Sequence, residues 1–570
     1  MNQSVRKVSA LLPLLALFAA TAAVILWQHG HVAVLWDMAY VLDSAARIAR
    51  GQMPYRDFPF VHAPFTFMIQ AALLRLAGPS IRLVQIYTAL AGGAGTVLTA
   101  LLLHGVLKGR VAQPRLLSLL LATPLAVLGI YCIFPFPSYD CDCILSVLLA
   151  LCLLQRVLDP ENSSRILVFL AGASLCLPLF FKQNIGLPFL AAALFALVAL
   201  LALRLLVRTE LPPAPVLRDL LLAAIGTLSA ALLVIQATCG LGNYLHWTVR
   251  FAMQRRMVGV VAMLTIFREP ALPWMLLAIA AGLLVLRFGP QRLGKQCVAF
   301  VLLVAPLLYP IAALFLFDDA DERGDYLIAL WPLLLALAIL TTLWNLTRGR
   351  LMRALLPLLT LTAIYGTLLS QQLWGSTYAL WPLGILLAAG LLAELADWPG
   401  ASSQLPLALG ATLTAILLVA GGFYTASEER LSYIDLDGSP ARATLPVLRG
   451  LATSGPYLPE FEELLRYASA KIPQQDGILL LPGEDPFYYA TGRAPQFPVL
   501  LFDPSTDPLT PPQVAAEARS IRWLIVKTHQ QIKADPTPAR AQLLAALLPD
   551  YTLVDRLTAY DIYRRNQSQR

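Results

Sequence analysis

The sequence predicts an all-α polytopic membrane protein with about 13 transmembrane helices and a small α/β domain at its C-terminal end. Of its 570 residues, 58% are hydrophobic and 13% are charged, whereas about a quarter of the residues in a soluble domain are charged. The apolar residues form long runs separated by short polar segments, and Lys and Arg concentrate in alternate segments. Only the chain beyond about residue 424 has the mixed composition of a soluble domain.

The predicted spans are runs of roughly twenty apolar residues, the length that crosses the hydrocarbon core of a bilayer. The windows begin near Ser9, Arg82, Leu116, Cys143, Ile166, Pro188, Leu220, Pro273, Cys297, Tyr326, Ala354, Ala379 and Leu405. The window at 143–158 is short, and a further stretch at 60–80 is only partly apolar. Residues 1–27 have the charge pattern of a signal peptide. However, the bulky Ile25-Leu26-Trp27-Gln28 stands where cleavage needs small residues, so a retained helix is predicted.

The orientation follows from Lys and Arg, which are enriched in the short cytoplasmic loops of membrane proteins. Alternate loops hold basic clusters, namely Arg6/Lys7, Lys108/Arg110/Arg115, Arg156/Arg165, Arg204/Arg208/Arg218, Arg287/Arg292/Lys295 and Arg348/Arg350/Arg353. The short loops between them hold few basic residues, and 135–142 holds none. The N-terminus is therefore predicted to be cytoplasmic, with residues 1–423 forming the membrane domain and 424–570 lying outside the cytoplasm.

The C-terminal segment 424–570 combines strand patterns with helical ones. Short strand-like runs occur at 478–481, 523–526 and 560–563, and helical patterns occur at about 458–471, 511–520 and 538–548. Strands that alternate with helices are typical of an α/β domain, and a segment of this length can build a core of its own. It has no Gly-rich phosphate loop, which argues against a nucleotide-using domain.

The candidate functional residues gather in the loops predicted to lie outside. The first outer loop, 28–80, is long and polar for a connection between helices, and it contains Asp37, Asp43, Tyr55, Asp57 and His62. Later outer loops add Asp140, Asp142, Lys182, Arg255, Arg256, Arg323 and Tyr326. Carboxylates beside cations suit a reaction in which an acid/base group acts next to a phosphate, which Lys and Arg bind. Solvated loop charges with no function would give the same pattern.

Charge and cysteine content narrow the kind of ligand. Lys182 ends an apolar run, where a charge is costly unless it is paired or reaches the interface, and Arg255-Arg256 is either a ligand site or a surface pair. The net charge of +8 lies in the short basic clusters, which indicates topology and not nucleic-acid binding. The seven cysteines show no zinc spacing. No cofactor is assigned, and a divalent metal at the acidic loops stays an open alternative.

The first outer loop carries a recognisable motif: Trp36-Asp37 and Tyr40, then Gly51-x-x-Pro54-Tyr55-Arg56-Asp57-Phe58 and His62-x-Pro64. This pattern resembles the first outer loop of the polyprenyl-phosphate-dependent glycosyltransferases of the GT-C fold. More narrowly, it resembles glycosyltransferase family 39, with the protein O-mannosyltransferases and the lipid A aminoarabinose transferase. The order of parts is similar along nearly the whole chain, and residues 484–493 resemble a stretch common in bacterial members.

The resemblance implies roles for individual residues. Asp37 matches the catalytic carboxylate, and Asp142, or alternatively Asp140, matches a second acidic residue of the site. His62 stands where some members have a basic residue that binds phosphate, and Arg323 with Tyr326 matches a pair at the start of the tenth span. Further candidates for substrate binding are Asp43, Tyr55, Asp57, Lys182, Arg255 and Arg256.

The function that the resemblance implies is the inverting transfer of one sugar from a polyprenyl-phosphate donor. The acceptor would be a lipid, glycan or protein on the extracytoplasmic face of a bacterial inner membrane. Two alternative classes are a lipid or polysaccharide transporter and a non-catalytic envelope-assembly protein. Transporters tend to show inverted repeats and broken helices, whereas the repeat found here spans five residues, 329–333 and 379–383. A binding protein would need neither Asp37 nor the cations.

Overall fold

The computed structural model describes residues 3–566 apart from 160–163, 207–210, 256–258, 290–292, 317–324, 370–376, 428, 504–505 and 534–537. Helices occupy most of the described chain as far as residue 426, and short strands follow. The first helices are α1 (Gln3–His29), α2 (Leu35–Ala49), α3 (Phe65–Ala77), α4 (Ile81–Leu107), α5 (Pro114–Ala122), α6 (Leu125–Leu128), α7 (Tyr139–Leu158), α8 (Arg165–Ser174), α9 (Leu177–Phe181), α10 (Gln183–Leu206), α11 (Ala214–Thr238) and α12 (Leu241–Leu245). A π-helical turn, His246–Phe251, leads into α13 (Ala252–Arg255) and α14 (Val260–Met263).

The second half of the bundle and the C-terminal region complete the described elements. The bundle continues with α15 (Leu272–Phe288), α16 (Leu293–Leu316), α17 (Asp325–Ile328), α18 (Leu330–Thr347), α19 (Leu351–Leu368), α20 (Trp381–Ala396) and α21 (Leu405–Ala426). The C-terminal elements are β1 (Pro440–Arg442), β2 (Ala452–Ser454), α22 (Tyr457–Lys471), β3 (Ile478–Leu481), α23 (Phe487–Thr491), α24 (Pro511–Glu517), β4 (Trp523–Lys527), α25 (Pro538–Leu547), β5 (Tyr551–Arg556) and β6 (Tyr560–Arg565).

The predicted membrane helices are confirmed as helices. Within the described residues, nine helices of at least 18 residues are apolar enough to cross a bilayer. Four shorter apolar helical segments, 114–128, 165–181, 272–288 and 381–396, fall on the remaining predicted windows. The partly apolar stretch at 60–80 forms α3, which has 13 residues. The structure is therefore that of a multi-pass membrane protein with a predominantly helical fold.

Small residues allow close packing within the bundle, as is usual where lipid supplies no hydrophobic drive between helices. Helix α4 packs along α1, and both contact the segment that precedes α7. A Cβ atom at Gly92 would lie 2.2 Å from the Ile25 side chain and 2.6 Å from the Ile130 carbonyl oxygen. Only glycine fits there, so Gly92 brings α1 and α4 together beneath the start of α7.

The C-terminal region contains a four-stranded mixed sheet in the order β3-β4-β6-β5. Strands β3 and β4 are parallel, whereas β6 runs antiparallel to both β4 and β5. The three predicted strand patterns form β3, β4 and β6, and the three predicted helical patterns form α22, α24 and α25. Strand β5 was not predicted, because four of its six residues are exposed and its last two, Asp555 and Arg556, are charged.

The two faces of this sheet bury different sets of side chains, as the alternation of strand side chains requires. Ile478, Ile525 and Ile562 lie in a core shared with α22 and with the buried face of α2. Leu479, Leu524 and Val526 lie in a second core with α24 and α25. The first core includes Leu35, Met38 and Leu42 of α2, so the C-terminal region packs directly on the helix that carries Asp37.

Candidate active site

A cavity of about 300 Å³ lies where the helix bundle meets the C-terminal region. Its wall is built from the first turns of α2, the start of α7 and loops that follow α21. The polar and aromatic residues of the described wall include Trp36, Asp37, Tyr40, His62, Phe134, Ser138, Tyr139, Asp140, Tyr378, Tyr433, Asp503 and Thr506. Segments that are far apart in the sequence therefore place carboxylates, a histidine and aromatic rings around one space.

Asp37 lies in the first turn of α2 and is half-buried in the cavity wall. A carboxylate in this position interacts favourably with the partial positive charge of the helix N-terminus. The Tyr433 hydroxyl donates a hydrogen bond to Asp37 Oδ2 at 2.8 Å. Burial and the charge of Asp37 raise the pKa of Tyr433 well above its ordinary value. Tyr433 therefore keeps its proton and acts as a donor that stabilises the ionised form of Asp37.

Asp140 lies in the wall opposite α2, in the first turn of α7. The Ser138 side chain caps this helix by accepting a hydrogen bond from the Asp140 backbone N–H at 3.2 Å. Asp140 accepts a hydrogen bond from the ammonium group of Lys182, whose residue is only 3% exposed. The Lys182 Nζ atom also lies 5.2 Å from the centre of the Tyr139 ring. The charge of Lys182, at the end of an apolar run, is thus paired, as expected for a buried charge.

His62 packs between aromatic rings at the same wall. Its ring stacks on Tyr139 with 4.2 Å between ring centres, and it meets Tyr40 edge-on at 5.3 Å. The Tyr55 hydroxyl donates to the His62 carbonyl oxygen at 2.6 Å, so Tyr55 lies behind the wall and holds the backbone at His62. Of these two residues of the loop motif, His62 therefore lines the cavity and Tyr55 supports it from behind.

Asp142 does not line the cavity. It is 1% exposed and accepts three hydrogen bonds from hydroxyl groups, from Thr66 at 2.7 Å, Tyr87 at 2.7 Å and Tyr131 at 2.5 Å. These donors come from α3, α4 and the segment before α7, so the carboxylate joins three parts of the bundle. Of the two acidic residues considered from the sequence, Asp140 is the one that reaches the cavity.

Two other acidic candidates of the first loop lie away from the cavity wall. Asp43 is buried away from the cavity, where it accepts a hydrogen bond from the Tyr489 N–H at 2.7 Å. Burial raises the pKa of Asp43 to about 8. Asp57 pairs with Arg56 at 2.7 Å and accepts a hydrogen bond from the Met53 N–H at 2.7 Å. These partners lower the pKa of Asp57 to about 2.

The remaining cationic candidates are only partly described. Arg255 is exposed at the end of α13, and its guanidinium lies 5.5 Å from the centre of the Phe251 ring. Burial raises the pKa of Asp507 to about 6, and the positive charge of Arg255 offsets part of this rise. Arg255 is therefore close to the loop that contributes Asp503 to the cavity. Tyr326 lies in α17, while Arg256 and Arg323 lie outside the described residues.

The C-terminal region holds α2 by contacts at both ends and along its length. Gln531 accepts a hydrogen bond from the Leu35 N–H at 2.9 Å and donates to the Ala33 carbonyl oxygen at 2.8 Å. Arg47, near the other end of α2, donates to the carbonyl oxygens of Pro498, at 2.6 Å, and Phe497. Together with the Tyr433 and Tyr489 bonds, these contacts fix the position and rotation of the helix that carries Asp37.

Several residues of this arrangement were missed from the sequence. Tyr433, Asp503 and Gln531 stand in polar stretches of the C-terminal region with no motif around them. The resemblance of the stretch 484–493 to other bacterial proteins implies no role for it. In the structure, Glu484 accepts hydrogen bonds from the backbone N–H groups of Gln531 and Ile532 at 2.7 and 2.9 Å. This stretch therefore positions the Gln531 loop and, through it, the start of α2.

The chemical capacity of the cavity follows from these groups. A carboxylate held by a tyrosine hydroxyl can accept a proton, and a paired carboxylate and ammonium can bind hydroxyl and phosphate oxygens. Aromatic side chains with polar tips suit ligands that have apolar faces as well as hydroxyl groups. Among the described residues, no group of three or more His, Cys, Asp and Glu side chains lies close enough to hold a metal ion.

Comparison with known proteins gives likenesses in structure only. No family model matches the sequence, and no curated protein matches it at a significant level. The chain is similar to the structure of ArnT from Cupriavidus metallidurans bound to undecaprenyl phosphate, with 13% identity, coverage of 97% of this chain and 98% of that chain, and a TM-score of 0.45. It is also similar to the Archaeoglobus fulgidus oligosaccharyltransferase tethered with an acceptor peptide, with 12% identity, coverage of 97% and 74%, and a TM-score of 0.48.

Proposed function

We propose that this protein is a membrane glycosyltransferase that moves one sugar from a polyprenyl-phosphate donor to a hydroxyl-bearing acceptor. The observation that carries the proposal is the meeting of Asp37, His62 and Asp140, from three separate segments, on one cavity at the end of the bundle. The donor class rests on the resemblance of the first loop to polyprenyl-phosphate-dependent glycosyltransferases. A lipid-linked donor also suits a cavity at the end of a bundle of apolar helices.

In the proposed reaction, Asp37 is the general base. The acceptor oxygen attacks the anomeric carbon, its proton passes to Asp37, and the bond between that carbon and the phosphate oxygen breaks with its electron pair going to the phosphate. A single displacement inverts the anomeric centre. The reaction needs an ionised Asp37, and the hydrogen bond from Tyr433 favours that form.

Asp140 and Lys182 are proposed to bind the donor together. Lys182 does not itself line the cavity, but its buried ammonium is paired with Asp140, so it fixes that carboxylate and adds positive charge close to a phosphate bound there. Asp140 keeps an oxygen for sugar hydroxyls. In this assignment Asp140 takes the role that the resemblance implies first for Asp142. His62 and Tyr139 form a stacked aromatic wall beside it.

The proposed orientation places this cavity outside the cytoplasm. The basic clusters used to predict topology lie at the other end of the same helices: α7 starts with Asp140 at the cavity and has Arg156 in its last turn. Residues 424–570 would then be extracytoplasmic, and the acceptor would be a lipid, glycan or protein of the cell envelope.

The proposal is tested by an assay of membranes with a panel of radiolabelled polyprenyl-phosphate sugars. The wild-type chain is expected to transfer one of them, and Asp37→Asn is expected to abolish transfer while the protein still folds and inserts. Asp57→Asn is the matched control, because this carboxylate is in the same loop but lies away from the cavity wall. Transfer retained by Asp37→Asn, or lost equally in Asp57→Asn, would contradict the assignment.

A second substitution separates the two neighbouring carboxylates. Asp140→Asn is expected to raise the KM for the donor or abolish transfer, and it is measured per folded molecule because the substitution also leaves the buried Lys182 ammonium without its carboxylate. If Asp140→Asn were active and unchanged in KM, the proposed donor site would be wrong even if Asp37 proved essential. Transfer to acceptors that are accessible only from the cytoplasmic side would refute the proposed orientation.

A further inference from the structure

A second and larger cavity, of about 660 Å³, lies at the other end of the bundle. It is enclosed by parts of α4, α7, α18, α19 and α20. Helix α7 has 20 residues, with Asp140 at the candidate active site and Leu158 at this second cavity. The nearest wall residues of the two cavities on this helix are Cys141 and Leu151, which at 1.5 Å per residue are about 15 Å apart. The proposed transfer reaction uses no group of this second cavity.

Basic side chains outnumber acidic ones in the described wall of this cavity. Lys108, Arg110, Arg156 and Arg353 line it, against Asp159 and Glu394. Arg110 is paired, 2.9 Å from Glu394 and 3.1 Å from Asp397, and Arg353 is 2.6 Å from Asp397. Lys108 and Arg156 make no ion pair with any described residue and are exposed at the rim. The rim therefore carries positive charge that can bind an anion.

Inside this rim is a buried polar group with an unmet hydrogen bond. Asn345 is 3% exposed, and its Nδ2 donates to Glu394 Oε1 at 3.0 Å, which fixes the orientation of the amide. Its Oδ1 atom is buried and accepts no hydrogen bond from the described chain. Burying an acceptor without a hydrogen bond is unfavourable. A ligand that brings a hydroxyl or ammonium donor would remove this cost.

The rest of the wall is apolar and leaves room for a chain. Leu151, Leu355 and Leu386 line the space. Gly390 of α20 also lines it, and a Cβ atom built there would have no heavy atom within 4 Å. The lack of a side chain at Gly390 keeps part of the cavity open.

We propose that this cavity is a binding site for a membrane lipid with a phosphate and a donor-bearing head group. The phosphate lies on Lys108 and Arg156 at the rim, a head-group hydroxyl donates to Asn345 Oδ1, and the hydrocarbon lies along the leucines beside Gly390. Basic pockets between transmembrane helices are a common form of site for acidic lipid head groups. Phosphatidylglycerol has both the phosphate and the head-group hydroxyls, whereas a polyprenyl monophosphate has the phosphate alone.

The test measures lipid binding to the purified, delipidated full-length protein in detergent by native mass spectrometry. Phosphatidylglycerol, phosphatidylcholine and polyprenyl monophosphate are titrated separately. The wild type is expected to bind one phosphatidylglycerol. Gly390→Leu, which fills the cavity, is expected to weaken binding at least about tenfold, a loss of about 1.4 kcal/mol. Gly226→Leu is the matched control, since Gly226 also has open space around it but does not line this cavity.

A second variant covers the case in which Gly390→Leu does not fold. The double substitution Lys108→Gln with Arg156→Gln changes only exposed rim charges and is expected to weaken phosphatidylglycerol binding by a similar factor. If polyprenyl monophosphate, which has no head-group hydroxyl, binds more tightly than phosphatidylglycerol, the proposed contact of a head-group donor with Asn345 is overturned. Equal binding of phosphatidylcholine and phosphatidylglycerol, or unchanged binding by both variants, would overturn the proposal.

Discussion

The hydrogen bond from Tyr433 to Asp37 gives the sharpest prediction about the proposed reaction. Tyr433→Phe removes one oxygen atom and keeps the ring that packs beside α2. The lost hydroxyl lies 2.8 Å from Asp37 Oδ2. Because it donates to the ionised carboxylate, its loss is expected to disfavour the form that acts as base, without changing the fold.

The size of the effect follows from the kind of bond and its surroundings. A hydrogen bond to a charged group contributes about 1.5–3 kcal/mol when it is well buried. Both partners here are only partly buried, so a value of about 1–2 kcal/mol is expected. At about 1.4 kcal/mol per factor of ten, kcat/KM should fall roughly 5- to 30-fold.

The pH profile gives a separate readout with a definite sign. Asp37 must be ionised to accept a proton, so activity is lost as the pH falls through its pKa. A donor to the carboxylate lowers that pKa, and removing the donor raises it. The acidic limb of the profile in Tyr433→Phe is therefore expected to move to higher pH, by about one unit for about 1.4 kcal/mol.

The matched control is Tyr378→Phe, which removes a hydroxyl from the same cavity wall. The Tyr378 hydroxyl donates to the Arg430 carbonyl oxygen at 2.9 Å, so its loss should leave the acidic limb in place. An unshifted acidic limb in Tyr433→Phe, or equal shifts in both variants, would refute the role given to Tyr433. A fall in activity without any pH shift would indicate that the hydroxyl acts on substrate and not on Asp37.

Three further predictions concern buried charges outside the cavity. Asp142→Asn should lower the unfolding free energy by about 2–3 kcal/mol, because one amide oxygen cannot accept all three hydroxyl bonds. Activity per folded molecule should be retained. Thermal unfolding in detergent, with activity normalised to folded protein, checks both results. Asp43 has a pKa of about 8 in the folded chain against an ordinary value of 3.8, so the folded state holds a proton that the unfolded state releases. Stability should fall as the pH rises between these values, by at most about 1.4 kcal/mol per pH unit, and denaturant unfolding at pH 5, 6.5 and 8 should show a shallower fall in Asp43→Asn. Lys527→Met leaves two buried carboxylates without their cation and should destabilise the C-terminal region by about 3–5 kcal/mol, which limited proteolysis can detect against the exposed control Lys533→Met.

The local structure was largely predictable because it depends on neighbours in the sequence. The apolar windows became helices since their composition allows little else in a membrane. The strands at 478–481 and 523–526 were found because both faces are buried and their residues are continuously apolar. Strand β5 was missed, as an edge strand needs only half of its side chains to be apolar.

The candidate site was predictable only in part, for a different physical reason. Asp37, His62 and Asp140 were found because polar residues between apolar runs are conspicuous, and all three line the cavity. The choice between Asp140 and Asp142 depended on the rotation of α7, which the sequence did not determine. Asp140 and Asp142 lie in the same first turn but on different faces of that helix, so one carboxylate reaches the cavity and the other is buried among hydroxyl donors.

The contacts on α2 show that the C-terminal region helps to position the proposed base. The hydrogen bonds from Tyr433 to Asp37 and from Leu35 to Gln531 join residues nearly 400 and 500 positions apart. No local sequence pattern predicts pairs of residues so far apart in the chain. The first of them sets the protonation of the proposed base, and the second sets the start of its helix. A membrane domain alone would contain Asp37 but neither bond, so the geometry of the base depends on a region that supplies only part of the cavity wall.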